Sequence, residues 1–62
     1  MMTKQEKNVL DLLALGCSSR QIAERLFISF HTVETHRKNL RHKFGVHTTP
    51  EMIVKAYKVL EY

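Results

Sequence analysis

The stretch Gln21–Leu40, QIAERLFISFHTVETHRKNL, decides the fold. Ile22, Ala23 and Leu26 recur at helical spacing and supply the inner face of a short helix over about Ser19–Phe27. Only Phe27 and Ile28 intervene before Ser29, an N-cap candidate that opens a second helix. Val33, Leu40 and Phe44 then lie at i, i+7 and i+11, on one stripe. Two helices joined so tightly must cross steeply, as in a helix-turn-helix. Ala23 is small enough to let the crossing helix approach near Val33. Phe27 and Ile28 are placed to plug the space under the turn. Such spacing also occurs in purely structural helix pairs, so the surface of the second helix has to carry any functional reading.

The flanks complete a four-helix domain. Thr3 followed by Glu6 is a capping box, and Val9, Leu10 and Leu13 continue it as a helix over about Lys4–Leu15. Gly16 stands where a left-handed C-cap is expected. Ser18 and Gln21 form a second capping box, and Gly45 ends the helix that Ser29 begins. Thr49-Pro50 reads as the next helix start, because proline is preorganised for the first helical position. Ile53, Ala56, Tyr57 and Leu60 form one face of that last helix. No sustained alternation and no Asn-Gly or Asp-Gly turn signals a strand. The expected fold class is all-α, one domain over residues 1–62.

A 62-residue chain buries only about 60% of the surface it exposes unfolded, so its core is marginal. The single Cys17 cannot form an internal disulfide and suits a reducing cytoplasm. The longest apolar run, Leu12–Leu15, is too short to span a membrane or serve as a signal peptide. Ten Lys and Arg against six Asp and Glu leave a net charge of +4 and a pI near 9.6, the footprint of a polyanion partner or simply a solvated basic surface. Position says more than the total. Arg37, Lys38, Arg41 and Lys43 fall within seven residues, flanked by His36 and His42.

With Val33, Leu40 and Phe44 turned inward, His31, Glu34, Thr35, Lys38 and His42 face outward on successive turns. Lys38 is long enough to reach guanine O6 and N7 from a major groove. Thr35 suits a base edge or a thymine methyl. Glu34 suits cytosine N4, or it pairs with Lys38 four residues on. Thr32, His36, Arg37, Arg41 and Lys43 flank this stripe and suit phosphates, which position a protein without reading sequence. Ser18, Ser19 and Arg20 open the preceding helix, whose first N–H groups suit another phosphate. His31, His36, His42 and His47 are spaced by five, six and five residues, which spreads their rings around a helix and disfavours a metal site. No cofactor is expected. No glycine-rich phosphate loop, carboxylate pair or nucleophile with a base supports catalysis.

At this point the chain resembles the LuxR-type helix-turn-helix family over about Met2–Tyr57. The resemblance rests on Glu6, Val9, Leu10, Leu12, Leu13, Gly16, Ser18, Ile22, Ala23, Leu26, Ile28 and Ser29. It continues through Thr32, Val33, Thr35, His36, Asn39, Leu40, Lys43, Gly45 and Val46. The run TVETHRKNL is similar to the response-regulator subgroup, where glutamate is a familiar variant of the lysine after Thr-Val. The resemblance implies a bacterial transcription regulator that binds double-stranded DNA as a homodimer, with the third helix in the major groove. RNA polymerase is a further candidate partner. By position, Glu34, Thr35 and Lys38 would face bases, and Thr32, His36 and Lys43 the backbone. The last helix would form the dimer contact through Val54, Tyr57, Lys58 and Glu61, with Tyr57 equally suited to the core.

Three departures stand out. Thr49 replaces a frequent arginine, which would remove a supporting contact near the last helix. Arg37 and Arg41 replace residues that are often apolar or aromatic, enlarging the basic surface and thinning the packing beneath it. Met52 replaces a usual alanine and is placed to fill that space. An upstream receiver or ligand-binding domain, usual in the family, is not part of this chain. Met1 reads equally as the start of a stand-alone regulator or the edge of an excised domain. Two other readings stay open: a promoter-reading domain like sigma-factor region 4, and a protein-interaction module that keeps the fold without binding DNA.

Overall fold

A computed structural model describes residues 2–57. Four helices follow in order: α1 Lys4–Ala14, α2 Ser19–Leu26, α3 Phe30–Phe44 and α4 Thr49–Tyr57. No strand occurs among the described residues. Leu60, expected on the inner face of α4, lies outside them.

Local chemistry sets most of the boundaries. Thr3 and Glu6 cap α1 reciprocally: Thr3 N donates to Glu6 Oε1 at 3.0 Å and Glu6 N to Thr3 Oγ1 at 3.1 Å. Ser18 and Gln21 do the same for α2, at 2.8 and 3.2 Å. Ser29 caps α3 by accepting from Thr32 N at 3.0 Å. Past α1 and α3, the chain turns on Gly16 at φ +90° and Gly45 at φ +65°. Crossed bonds close each end: Cys17 N to Leu12 O and Gly16 N to Leu13 O, then Val46 N to Arg41 O and Gly45 N to His42 O.

Two local expectations need correction. The start of α4 is capped by Thr48, not Thr49: Thr48 Oγ1 accepts from Glu51 N at 3.3 Å and donates to Glu51 Oε1 at 2.9 Å. Pro50 therefore sits one position further into the first turn, where it still lacks no needed N–H. Phe27 does not plug the space under the turn. It ends α2 in the left-handed conformation, φ 56° and ψ 43°, and is 94% exposed. The geometry explains this. The turn needs a left-handed residue so that Ile28 N can reach Ala23 O at 3.1 Å, and that residue points its side chain outward. Ile28, the next residue, packs against the core instead.

α3 is the central element and packs against α1, α2 and α4. Its Val33 and Leu40 are fully buried, together with Val9, Ile22 and Met52. Leu10 and Leu13 complete the buried cluster. Ala23, Leu26, Cys17 and Phe44 are partly buried around it. Every helix thus gives apolar side chains to one core, and α3 is held by all the others.

Two polar ties brace this core. Lys43 Nζ donates to Glu6 Oε1 at 2.6 Å, joining the end of α3 to the start of α1. Glu6 is buried, and the Lys43 hydrogen bond, with that of the Thr3 backbone, holds its carboxyl below the usual range. Tyr57 Oη donates to Asp11 Oδ1 at 2.5 Å, joining α4 to α1. Burial and this bond push the Tyr57 phenol up to about 12, and the same bond lowers the Asp11 carboxyl against the opposing effect of burial.

Candidate nucleic-acid interface

The outward side of α3 presents His31, Thr35, Lys38, Asn39 and His42, all exposed. Thr35 Oγ1 donates back to His31 O at 3.1 Å, which fixes its rotamer and leaves its methyl and oxygen lone pairs outward. Lys38 is exposed and makes no ion pair among the described residues. The Glu34–Lys38 pair, one of two alternatives for Glu34, does not form among the described residues. The exposed Glu34 instead leans toward α2, at the edge of the outward side.

That edge carries a polar chain across three helices. Ser19 Oγ and Glu34 Oε2 are hydrogen-bonded. Arg37 Nη1 donates to Ser19 Oγ at 2.6 Å and lies 3.7 Å from Glu34 Oε2. Arg37 Nη2 donates to Thr49 Oγ1 at 2.7 Å. Ser19 is buried, and the Arg37 side chain is only 23% exposed. Ser19 and Arg37 are therefore internal, whereas both were expected to face phosphates. The cause is helical register. Arg37 follows Val33 by four residues and precedes Leu40 by three, so it lies along the core stripe. The arginine stem covers the core while its fork reaches polar partners at the rim. The same fork supplies a contact at Thr49, where the sequence suggested that one would be lost.

The remaining backbone-facing candidates divide. Ser18 and Arg20 are exposed at the start of α2, with the Ser18 hydroxyl already accepting in its cap. Thr32 is partly buried, its hydroxyl 2.8 Å from Ser29 Oγ. Arg41 is partly buried on the α3 surface. His36 is half-buried, and its Nδ1 is enclosed without a hydrogen-bond partner among the described residues. Lys43 departs from the expected anchoring role, because its ammonium is committed to Glu6 on α1.

On α4, Val54 is 68% exposed. It borders an open groove of about 550 Å³ with Val46, Pro50, Glu51 and Lys55. Tyr57 belongs to the other side, packed against the core and bonded to Asp11. Lys58 and Glu61 lie outside the described residues. Among the described residues no cluster of three or more His, Cys, Asp or Glu side chains could hold a metal ion. No described helix is long and apolar enough to cross a membrane.

Sequence reasoning missed the Ser19–Glu34–Arg37–Thr49 chain and the Thr48 cap. Both left signals. The spacing of Arg37 from Val33 and Leu40 places it on the inner stripe, and Thr48-Thr49-Pro50-Glu51 repeats the T-x-x-E signature that opens α1.

Comparison with known proteins agrees with this architecture. The family described as "Bacterial regulatory proteins, luxR family" matches residues 1–56. The oxygen regulatory protein NreC of Staphylococcus aureus, strains JH9 and JH1, is 38% identical over 58 residues. That match covers 94% of this chain and 27% of NreC, so the chain spans about a quarter of these relatives' length. Four helices without a strand among the described residues, a tight α2–α3 turn and a family match over nearly the whole chain agree: this chain belongs to the LuxR family of bacterial regulatory proteins and carries its DNA-binding, transcription-regulating helix-turn-helix domain.

Proposed function

We propose that this domain binds specific sequences in duplex DNA, with α3 in the major groove and Lys38 and Thr35 reading base edges. The observation that carries the reading is Lys38: an exposed cation, unpaired among the described residues, in the middle of a helix that the other three hold in place. A lysine so placed costs nothing to detach from a partner before it reaches guanine O6 and N7. Glu34 contributes at the edge of the same surface. Ser18, Arg20, Thr32, His36 and Arg41 are phosphate contacts around it.

Dimerisation completes the proposal. Val54 and its groove on α4 are the part of that helix left uncovered, and they suit a second copy of the chain better than Tyr57 does. Two copies joined this way would meet half-sites about 10 bp apart.

Selection from a random duplex library, with the mass of the winning complex, tests both parts. The expected result is one motif in two half-sites, bound by two chains. A library that shows no preference at any salt concentration would sink the DNA reading. Val54→Glu is expected to reduce the complex to one chain on one half-site. Two chains bound as tightly as before would move the dimer contact away from Val54.

A further inference from the structure

We infer that Ser19, Arg37 and Thr49 are positioning residues that set the base preference of Glu34, by holding its carboxylate so that one oxygen accepts from a cytosine amino group. The inference rests on the major-groove reading proposed above and deepens it at one position of the site.

The geometry separates the two carboxylate oxygens. Oε2 is held from the protein side, hydrogen-bonded to Ser19 Oγ and 3.7 Å from Arg37 Nη1. Oε1 has no hydrogen-bond partner among the described residues, and 48% of the side chain is exposed. The holders are themselves held. Arg37 bonds Ser19 at 2.6 Å and Thr49 at 2.7 Å with different nitrogens, so its fork spans from α2 to α4. Ser19 is buried and cannot swing away. A glutamate on a helix surface ordinarily loses rotamer freedom when it binds, and this one has lost it already.

Charge follows the same pattern. A carboxylate entering a groove repels phosphate, and Arg37 beside it offsets that repulsion. What remains is an acceptor with no proton to donate. In the major groove cytosine offers the N4 amino donor; adenine offers N6 but sets the N7 acceptor beside it, and guanine O6 and N7 and thymine O4 would face Oε1 acceptor to acceptor. A lysine at this position would prefer guanine, so the Glu34 chain reverses the chemistry of the position.

The experiment is library selection with five proteins: the wild type, Glu34→Ala, Arg37→Lys, Thr49→Val and the Glu34→Ala/Arg37→Lys double variant. Lysine keeps the charge of Arg37 but lacks the fork that joins Ser19 to Thr49. The wild type is expected to enrich cytosine at one position of each half-site, by about tenfold. Glu34→Ala should erase that preference and leave the other positions unchanged. Arg37→Lys should lose most of it at the same position, and Thr49→Val part of it. Combining Glu34→Ala with Arg37→Lys should add no further loss there, because the two act through one contact. Thermal melts of each variant separate these shifts from unfolding.

Three results would overturn the inference: enrichment of another base at the position Glu34 controls, a Glu34→Ala profile identical to wild type, or an Arg37→Lys profile identical to wild type. The last would make Arg37 a simple charge. A wild type without any sequence preference would instead remove the major-groove reading itself.

Discussion

Lys38 and Lys43 lie five residues apart on one helix, and the comparison between their surroundings is instructive. Lys38 stands on the outward face of α3, exposed and unpaired among the described residues. Lys43 points past the other side to α1, where it satisfies the buried carboxylate of Glu6 at 2.6 Å. Arg37, one residue before Lys38, repeats the lesson, with its fork committed to Ser19 and Thr49. A basic side chain is available to a polyanion only where the fold gives it no better partner. On the proposed reading, the density of cations along α3 therefore overstates the binding surface, which would be concentrated around Lys38.

Substitutions on α3 test this division, and the largest effect belongs to its buried side. Leu40→Ala should cost about 2–5 kcal/mol of stability, because a fully buried leucine leaves a cavity. A domain of this length has only about 3–9 kcal/mol in all. A denaturant melt should show most of it gone, and a loss below about 1 kcal/mol would mean that α3 is not the packing centre.

On the outward face the effects should exchange places. Lys38→Ala should weaken specific binding by about 1–3 kcal/mol and relax preference at one base, with stability nearly unchanged. Titrations against matched and mismatched duplexes read this directly. Uniform weakening across all sequences would make Lys38 a phosphate contact and break the comparison.

Lys43→Ala should do the reverse. It leaves Glu6 buried without its lysine, at a cost of about 1–2 kcal/mol of stability, while the folded variant keeps its base preference. A shift in base preference would return Lys43 to the reading surface. The pH dependence has a definite sign. The folded-state pKa of Glu6 is depressed, so its contribution is present above the ordinary carboxylate range and is lost as pH falls through the folded value. The stability gap between Lys43→Ala and the wild type should therefore shrink as pH falls through that range, and a gap that stays constant would detach it from the Glu6 carboxylate.

The smallest effect lies in the turn before α3. Phe27 holds a left-handed conformation with almost no contact to lose, so Phe27→Gly should stabilise the domain by about 0.5–1 kcal/mol. A melting temperature that falls instead would mean that the exposed ring has a structural partner.

Much of the fold was legible because its signals are local. The Thr3–Glu6 and Ser18–Gln21 boxes, the Ser29 cap and the two glycines each satisfy backbone groups within a few residues of themselves. The α4 start was displaced by one residue because two adjacent threonines offered the same hydroxyl, and only the register of the first turn chooses Thr48. Phe27 misled because an aromatic residue in a turn suggests burial, while the left-handed backbone that Ile28 requires decides its direction. Within the candidate site, the outward placement of Thr35 and Lys38 follows from periodicity. The commitments of Ser19, Arg37 and Lys43 do not, because their partners lie 12 to 37 residues away in the chain.

By itself, then, the sequence determined four helices, the caps of the first three, the tight crossing of α2 and α3 and the family to which they belong. Periodicity and capping are short-range properties, written in neighbouring residues. The tertiary structure alone decided which charges remain for a partner. It took Lys43 for Glu6, Arg37 for Ser19 and Thr49, and Tyr57 for Asp11, and it left Lys38 and Val54 uncovered. The physical reason is that a buried or half-buried polar group must find a partner wherever the packing puts one, and packing brings together residues that the chain keeps far apart.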